Sequence, residues 1–280
     1  MDDATTTLKR CQIDLRRGDC LELMKGIHDG CVDMVLCDLP YGVTQNKLDV
    51  VIPFDKLWEQ YLRIVKPNGA IVLFAQGMFA ARLMNSKPKL WRYNIVWDKV
   101  LPSGFLNANK MPLRRHEVIC VFYQKQPTYN PQKTRGAKNH SKGAKKENAN
   151  NNYGQYGFVD NAEKHGDFKF PTSILTVQKD HPSKAVHPTQ KPVALCELLI
   201  RTYTNPGEVV LDNCMGSGST GVACVNTGRG FLGIELNDIY FEIAKSRVEE
   251  AWNRRTRHEH DQYRDQEGDA AGEAGGLQRH

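Results

Sequence analysis

The stretch VDMVLCDLPY, residues 32–41, joins a buried strand to a short polar turn. Its first six residues are mostly apolar and rich in branched side chains, a pattern typical of a buried strand. Asp38 therefore lies at the carboxyl end of a strand, the edge at which open parallel sheets bind ligands. Pro40 stiffens the turn, and the ring of Tyr41 can stack on a planar base beside the carboxylate. A plain strand-ending turn explains these four residues equally well, so the rest of the chain must decide.

The remaining sequence alternates apolar strands with amphipathic helices, which favours a doubly wound α/β sheet with one antiparallel edge strand. The predicted strands are residues 11–15, 32–37, 70–75, 93–97, 117–122, 209–211 and 230–234. The predicted helices begin near residues 20, 54, 78, 192, 222 and 238, and the last is expected to end near Trp252. The sequence KPNG, residues 66–69, is expected to end the second helix.

Composition is typical of a cytoplasmic globular protein. The 280 residues are 40% hydrophobic, enough for a full core, and no segment has the eighteen consecutive apolar residues of a membrane span. We therefore expect no membrane association. The eight cysteines form no Cys-x-x-Cys pair and lie mostly in apolar segments, so we expect reduced core thiols and no metal site.

Positive charge is concentrated in one segment. Residues 123–186 contain eleven Lys or Arg and five Asp or Glu, so this segment carries the whole net charge of +6. Asparagines and tyrosines are interleaved with its lysines and arginines. This composition favours binding to a polyanion, although a solvated loop is the alternative.

A glycine-rich loop follows a second strand-ending acid. Asp212 closes a strand, and Gly216, Gly218 and Gly221 lead into a helix. Glu235 ends the next strand, where its carboxylate can accept hydrogen bonds from ribose hydroxyls, which implies a nucleoside cofactor. The spacing also fits a nicotinamide-dependent oxidoreductase. Against that alternative, the glycines begin four residues after Asp212, and too little chain follows for a mononucleotide-binding half.

Seven sequence blocks together resemble the β class of amino-group DNA methyltransferases, which use S-adenosylmethionine to methylate adenine N6 or cytosine N4. The blocks are GDC (18–20), DLPY (38–41), WDK (97–99), RHE (115–117), HPTQKP (187–192), DNCMGSG (212–218) and IELN (234–237). Their order, catalytic before cofactor motif, implies a circularly permuted, Rossmann-like methyltransferase fold. Leu39 departs from the family, which usually has proline there.

The resemblance also implies a division of the chain. It implies a disordered N-terminus (1–10), a catalytic half (11–122), a basic DNA-recognition insertion (123–186), a cofactor-binding half (187–252) and a disordered tail (253–280).

The resemblance implies roles for individual residues. Asp38 and the main-chain carbonyl of Leu39 would accept hydrogen bonds from the target amino group, and Pro40 and Tyr41 complete this catalytic motif, with Tyr41 stacking on a flipped base. The cofactor-binding residues would be Asp19, Cys20, Thr189, Lys191, Asp212, Cys214, Gly216, Gly218 and Glu235. The RHE block is ambiguous, since an ion pair at the sheet edge explains it without catalysis.

Double-stranded DNA is the partner that the resemblance implies. The expected DNA contacts are Arg114, Lys133, Arg135, Lys138, Lys142, Lys145 and Lys146. Aspartate at position 38 favours adenine N6 over cytosine N4 as the target, because the family's cytosine enzymes usually carry serine there. Both a restriction-modification role and relaxed recognition are left open, as is a homodimer. A catalytically inactive DNA-binding subunit is disfavoured, because Asp38 and the glycine loop are intact.

Overall fold

A large mixed sheet covered by helices forms the body of the protein. The computed structural model describes residues 13–43, 49–136, 167–179 and 190–275, with side chains to residue 257 in the last range. The strands are β1 Ile13–Arg17, β2 Val32–Cys37, β3 Val65–Ala75, β4 Trp91–Ser103, β5 Arg114–Phe122, β6 Thr134–Arg135, β7 Phe168–Lys169, β8 Ile174–Thr176, β9 Val209–Asp212 and β10 Gly230–Glu235. The helices are α1 Cys20–Met24, α2 Phe54–Ile64, α3 Gly77–Ser86, α4 Val193–Tyr203, α5 Ser219–Thr227 and α6 Asp238–Gly275. No helix in these ranges has the length and hydropathy that a bilayer-spanning segment requires.

Helices lie on both faces of the sheet, because β2 is apolar on both of its sides. Val35 and Cys37 belong to the hydrophobic cluster that contains the apolar side chains of α1, α2 and α3. Met34 and Leu36, which point the other way, belong to the cluster built with α4, α5 and α6. Alternate residues of one strand thus enter two cores. The predicted doubly wound α/β fold is confirmed.

The strand order is β1-β10-β9-β2-β3-β5-β4-β8. β9 pairs in parallel with β2, with Met34 opposite Val210 and Val35 opposite Leu211. The two halves of the chain therefore meet inside the sheet, at the β9–β2 seam. Since these strands are parallel, their carboxyl ends lie at one edge, where doubly wound proteins bind ligands. This edge carries Asp38 and Asp212 side by side.

The first strand joins the second half of the chain. β1 pairs with β10 in parallel, from Ile13 opposite Phe231 to Arg17 opposite Glu235. The backbone N–H of Gly18 then donates to the Glu235 carbonyl at 2.9 Å. The turn after β1 consequently lies at the end of β10, next to the predicted ribose-binding acid.

The antiparallel strand lies inside the sheet and not at its edge. β5 runs antiparallel to both β3 and β4, and β8 then adds to β4 in parallel. The edge position is taken by β8, which belongs to the basic segment 123–186. The sequence did not reveal this strand, because three residues are too few for a period-two pattern to stand out.

The KPNG segment belongs to β3, whereas the sequence predicted a helix end there. Lys66 Nζ donates to Asp33 Oδ1 at 2.5 Å, which ties the segment to β2. A Cβ atom on Gly69 would lie 2.8 Å from the Asp33 carbonyl oxygen, so the close approach of the two strands requires glycine. The contact with β2 overrides the local helix-stop signal.

Helix α6 spans Asp238–Gly275, so the prediction that it ends near Trp252 is wrong. This stretch contains no proline and is rich in strong helix formers such as Glu, Gln, Arg and Ala. Arg255 Nη1 also donates to the Val225 carbonyl at 2.7 Å, which holds the helix against α5. Residues 1–12 and 276–280 lie outside the described ranges.

Candidate active site

Asp38 is held by two donors from separate parts of the chain. The Tyr41 hydroxyl donates to Asp38 Oδ1 at 2.7 Å, and Lys191 Nζ donates to Asp38 Oδ2 at 2.5 Å. The side chain keeps 25% of its surface exposed. The carboxylate is thus oriented at the end of β2 and still open to a ligand.

Lys191 and Lys99 both contact Glu117, which extends the ion pair into a buried charged chain. Glu117 Oε2 lies 3.4 Å from Lys191 Nζ, and Glu117 Oε1 lies 3.4 Å from Lys99 Nζ. Burial alone would raise the pKa of the Glu117 carboxyl, but the two ammonium groups outweigh it and hold that pKa below its usual value. Burial likewise opposes the charge of Lys191, yet Asp38 and Glu117 raise its pKa. Glu117 and Lys191 are therefore both charged at neutral pH.

Lys99 and Glu117 are functional candidates that our sequence interpretation did not assign. Both lie in quoted blocks, WDK and RHE, directly beside the apolar runs of β4 and β5, which was the available signal. The ion pair expected for the RHE block is made by Arg115, whose Nε donates to Asp98 Oδ1 at 2.7 Å. His116 is exposed beside it. The RHE block thus contributes Arg115 to a surface ion pair and Glu117 to the buried charged chain.

Tyr41 and Leu39 of the DLPY motif pack against apolar residues of the core. The ring of Tyr41 packs on Phe79 with centroids 4.8 Å apart and planes inclined by 33°. Burial, followed by the nearby Asp38 carboxylate, raises the pKa of Tyr41 well above its usual value, so its hydroxyl remains a proton donor. Leu39 is buried in the cluster under α2 and α3. The leucine side chain therefore holds the motif against the hydrophobic core.

Hydrogen bonds gather the ends of β9 and β10 around Glu235. Its two carboxylate oxygens accept from the backbone N–H groups of Gly216 and Asn237, each at 2.8 Å. The Met215 N–H donates to the Ile234 carbonyl at 2.9 Å. Each carboxylate oxygen retains a further lone pair, so Glu235 can also accept from sugar hydroxyls.

The two loop glycines have different functions. A Cβ atom on Gly218 would lie 2.9 Å from the Ala244 Cβ of α6, so this glycine allows helix packing. A Cβ atom on Gly216 would meet nothing within 4 Å, so the space above it is open. Ser219 Oγ, at the start of α5, is buried and has no hydrogen-bond partner among the described residues. Open space at Gly216, which contacts Glu235, and an unsatisfied hydroxyl at the start of α5 fit a polar nucleoside cofactor.

Residues from the end of β1 complete this corner. Asp19 caps α1, accepting from the Leu21 and Glu22 N–H groups at 2.8 and 3.1 Å. The Cys20 thiol is hydrogen-bonded to that of Cys214, and this contact together with burial raises its pKa. The seven cysteines within the described residues are all free.

Asp212 orders the loop from beneath. Its Oδ1 accepts from the Cys214 N–H at 3.1 Å, and its Oδ2 accepts from the Thr220 hydroxyl at 2.7 Å. The side chain is buried, and burial raises the pKa of its carboxyl to about 6 despite these two bonds. Both oxygens therefore already have protein partners, and we interpret Asp212 as a support of the cofactor loop.

Replacing Asp212 is expected to change how stability depends on pH. A raised carboxyl pKa contributes stability that is fully present below the unfolded value and is lost as pH rises through about 6. Asp212→Asn keeps the Oδ1 acceptor and removes the buried charge, so from pH 4 to pH 7 it should gain about 2 kcal/mol relative to the wild type. Urea unfolding at several pH values measures this, with the exposed Asp55→Asn as control. A constant difference between the two proteins would contradict the assignment.

The expected DNA contacts fall into three groups. Arg114 is exposed at the start of β5, near the edge that carries Asp38, and its Nη1 donates to Gln76 Oε1 at 3.3 Å. Lys133 precedes β6 and Arg135 ends it, and the two side chains lie over the rings of Phe170 and Phe168, respectively. Lys138, Lys142, Lys145 and Lys146 lie outside the described residues, as does the expected cofactor residue Thr189.

A family model for DNA methylases of the N6/N4 type matches residues 32–246, from the start of β2 into α6. The chain belongs to this family. The predicted resemblance is confirmed, and the alternative of a nicotinamide-dependent oxidoreductase is excluded. The match includes both strand-ending acids of the β9–β2 seam, the DLPY motif and Glu235.

Individual relatives agree with this family membership. The Type II methyltransferase M.HpaI of Haemophilus parainfluenzae is 26% identical over 253 residues, which are 84% of this chain and 74% of that protein. The crystal structure of an M1.HpyAVI–SAM complex superposes with a TM-score of 0.58 at 24% identity, covering 85% of this chain and 99% of that one. The cytosine-N4-specific PvuII DNA methyltransferase reaches a TM-score of 0.61 at 15% identity, covering 88% and 94%. These two structural likenesses show a shared fold.

Proposed function

We propose that this DNA methylase transfers a methyl group from S-adenosylmethionine to adenine N6 of a base flipped out of duplex DNA. The observation that carries the proposal is the oriented Asp38 carboxylate at the β9–β2 seam, beside the open loop at Gly216 and the acid Glu235. When bound, S-adenosylmethionine supplies an electrophilic methyl group. The family assignment and the cofactor named for M1.HpyAVI support this donor.

The protein's own residues act by orientation. Asp38 accepts one hydrogen bond from the exocyclic amino group, and the Leu39 carbonyl accepts the other. These acceptors draw the nitrogen lone pair out of conjugation with the ring, so positioning and local charge supply much of the rate. Lys191 stands between Asp38 and Glu117, and its movement towards the cofactor's carboxylate would free an Asp38 oxygen for the base. No covalent bond to the enzyme is required.

Adenine is preferred over cytosine because position 38 is an aspartate, by the association within the family described above. Cytosine N4 is the second candidate, favoured by the fold shared with a cytosine-N4-specific enzyme. Digestion of methylated DNA to nucleosides and mass spectrometry separates the two products. N4-methylcytosine without N6-methyladenine would refute the adenine assignment and leave the methylase intact.

The Type II designation of M.HpaI supports a role in modifying one recognition sequence. The basic segment 123–186 is the proposed recognition region, in which Lys133 and Arg135 are the described members of the expected set. Sequencing the methylated bases of host DNA identifies the sequence and its stringency.

Substitution of Tyr41 is expected to separate stacking from hydrogen bonding. Tyr41→Phe keeps the aromatic face and loses only the bond to Asp38, so kcat/KM should fall by no more than a few fold. Tyr41→Ala also removes the stacking surface, which contributes about 1–3 kcal/mol per base in single-strand complexes, so we expect a loss of about tenfold or more. Steady-state kinetics on one duplex measures both variants. Equal kcat/KM values for Tyr41→Phe and Tyr41→Ala would show that Tyr41 does not stack on the base.

A further inference from the structure

The connection between β4 and β5 forms an ordered hairpin that extends beyond the sheet. The strands pair out to Ser103 and Arg114, and residues 104–113 form the turn. Gly104 has φ of +92°, which starts the turn. The Asn107 N–H donates to the Gly104 carbonyl, and the Met111 N–H to the Asn107 carbonyl, both at 3.0 Å. The backbone of the tip is therefore held by its own hydrogen bonds.

This ordered tip presents apolar side chains to solvent. Leu106 is 100% exposed, Phe105 is 66% exposed and Met111 is 54% exposed. Isolated apolar residues are common on protein surfaces, but a contiguous group on a projecting turn indicates an interaction site. Exposure of such a group to water is unfavourable, and burial in an apolar environment lowers its free energy.

The location and charge of the hairpin point to DNA. Its base is the Lys99–Glu117 contact, and Glu117 also contacts Lys191, the partner of Asp38. Residues 100–116 contain three basic residues and no Asp or Glu. A cationic hairpin with an apolar tip, on the edge that carries the catalytic acid, complements a phosphate backbone around stacked bases.

We propose that the β4–β5 hairpin is the wedge that enters the duplex and replaces the flipped base in the stack. Leu106 and Phe105 occupy the space that the target base leaves, and Arg114 and Lys110 contact the flanking phosphates. Inserted leucine and phenylalanine side chains unstack neighbouring bases in other DNA-bending proteins. The wedge rests on the proposed function, since it assumes that a base of duplex DNA is the substrate.

Two duplexes test the wedge with the full-length protein. One contains the recognition sequence fully paired, and the other has an abasic site opposite the target base, which is then already unpaired. The double variant Phe105→Ala/Leu106→Ala should lose at least tenfold in kcat/KM on the paired duplex and less than threefold on the abasic one. With 2-aminopurine at the target position, binding of the variant should raise the fluorescence less than half as much as binding of the wild type.

Controls separate the wedge from a general defect. Leu106→Met retains an apolar tip, so the ratio of its kcat/KM values on the two duplexes should match that of the wild type. Trp91→Ala, at the opposite end of β4, removes another exposed apolar side chain and should show no difference between the substrates. Equal losses on the two duplexes, or no loss on the paired one, would overturn the wedge alone. A wild-type protein that methylates neither duplex would overturn the proposed function and the wedge with it.

Discussion

Asp38→Ala is expected to abolish methyl transfer while the affinity for S-adenosylmethionine stays within a few fold of the wild type. The substitution removes the acceptor at the end of β2, and loss of one oriented polar group in an active site typically costs about 100- to 1,000-fold in rate. The proposed cofactor contacts lie on other segments, at Gly216 and Glu235. Incorporation of a labelled methyl group into DNA measures the first quantity, and calorimetry measures the second.

A matched control for this prediction lies at the other end of the same strand. Asp29 precedes β2, is exposed and pairs with Arg63. Asp29→Ala should retain wild-type activity. Methyl transfer by Asp38→Ala at a rate near that of the wild type would show that the catalytic assignment is wrong.

Glu117→Gln is expected to lower the free energy of unfolding by about 3 kcal/mol, because removing one member of a buried ion pair leaves its partners uncompensated. Glu117 lies between two ammonium groups whose side chains are only 10% and 4% exposed, those of Lys191 and Lys99. The neutral amide keeps the shape of the side chain and loses the charge that both require. Urea unfolding at neutral pH measures the difference.

A second substitution tests whether the loss comes from the uncompensated charge. Adding Lys99→Met to Glu117→Gln removes one of the two ammonium groups and should recover part of the stability. Methyl transfer should fall in Glu117→Gln, because Lys191 loses the contact that helps to place it against Asp38. Unchanged stability in the single variant would show that the charged chain contributes nothing to folding.

The pH dependence of the same variant has a definite sign. Because the folded-state pKa of Glu117 is lowered, its contribution to stability is present above the unfolded value and is lost as pH falls through the folded one. The advantage of the wild type over Glu117→Gln should therefore shrink under acidic conditions. This direction is opposite to that expected for Asp212, whose pKa is raised.

The sequence alone determined the strands that build the site and the acids that end them. Apolar runs bounded by polar turns located β2, β9 and β10, since hydrophobic periodicity and turn chemistry are local properties of the chain. Asp38, Asp212 and Glu235 followed directly as strand-ending residues. The order of the motifs was sufficient to predict the methylase family and the doubly wound fold.

Only the tertiary structure decided which side chains meet. Lys191 and Asp38 are 153 positions apart, and their contact depends on β9 lying beside β2. Glu117 contacts Lys99 and Lys191 because β5 lies inside the sheet, next to β4. The local helix-stop signal also failed at KPNG, because the contact with Asp33 outweighs the preference of the segment itself. Such contacts join distant parts of the chain, so no short window of sequence contains them.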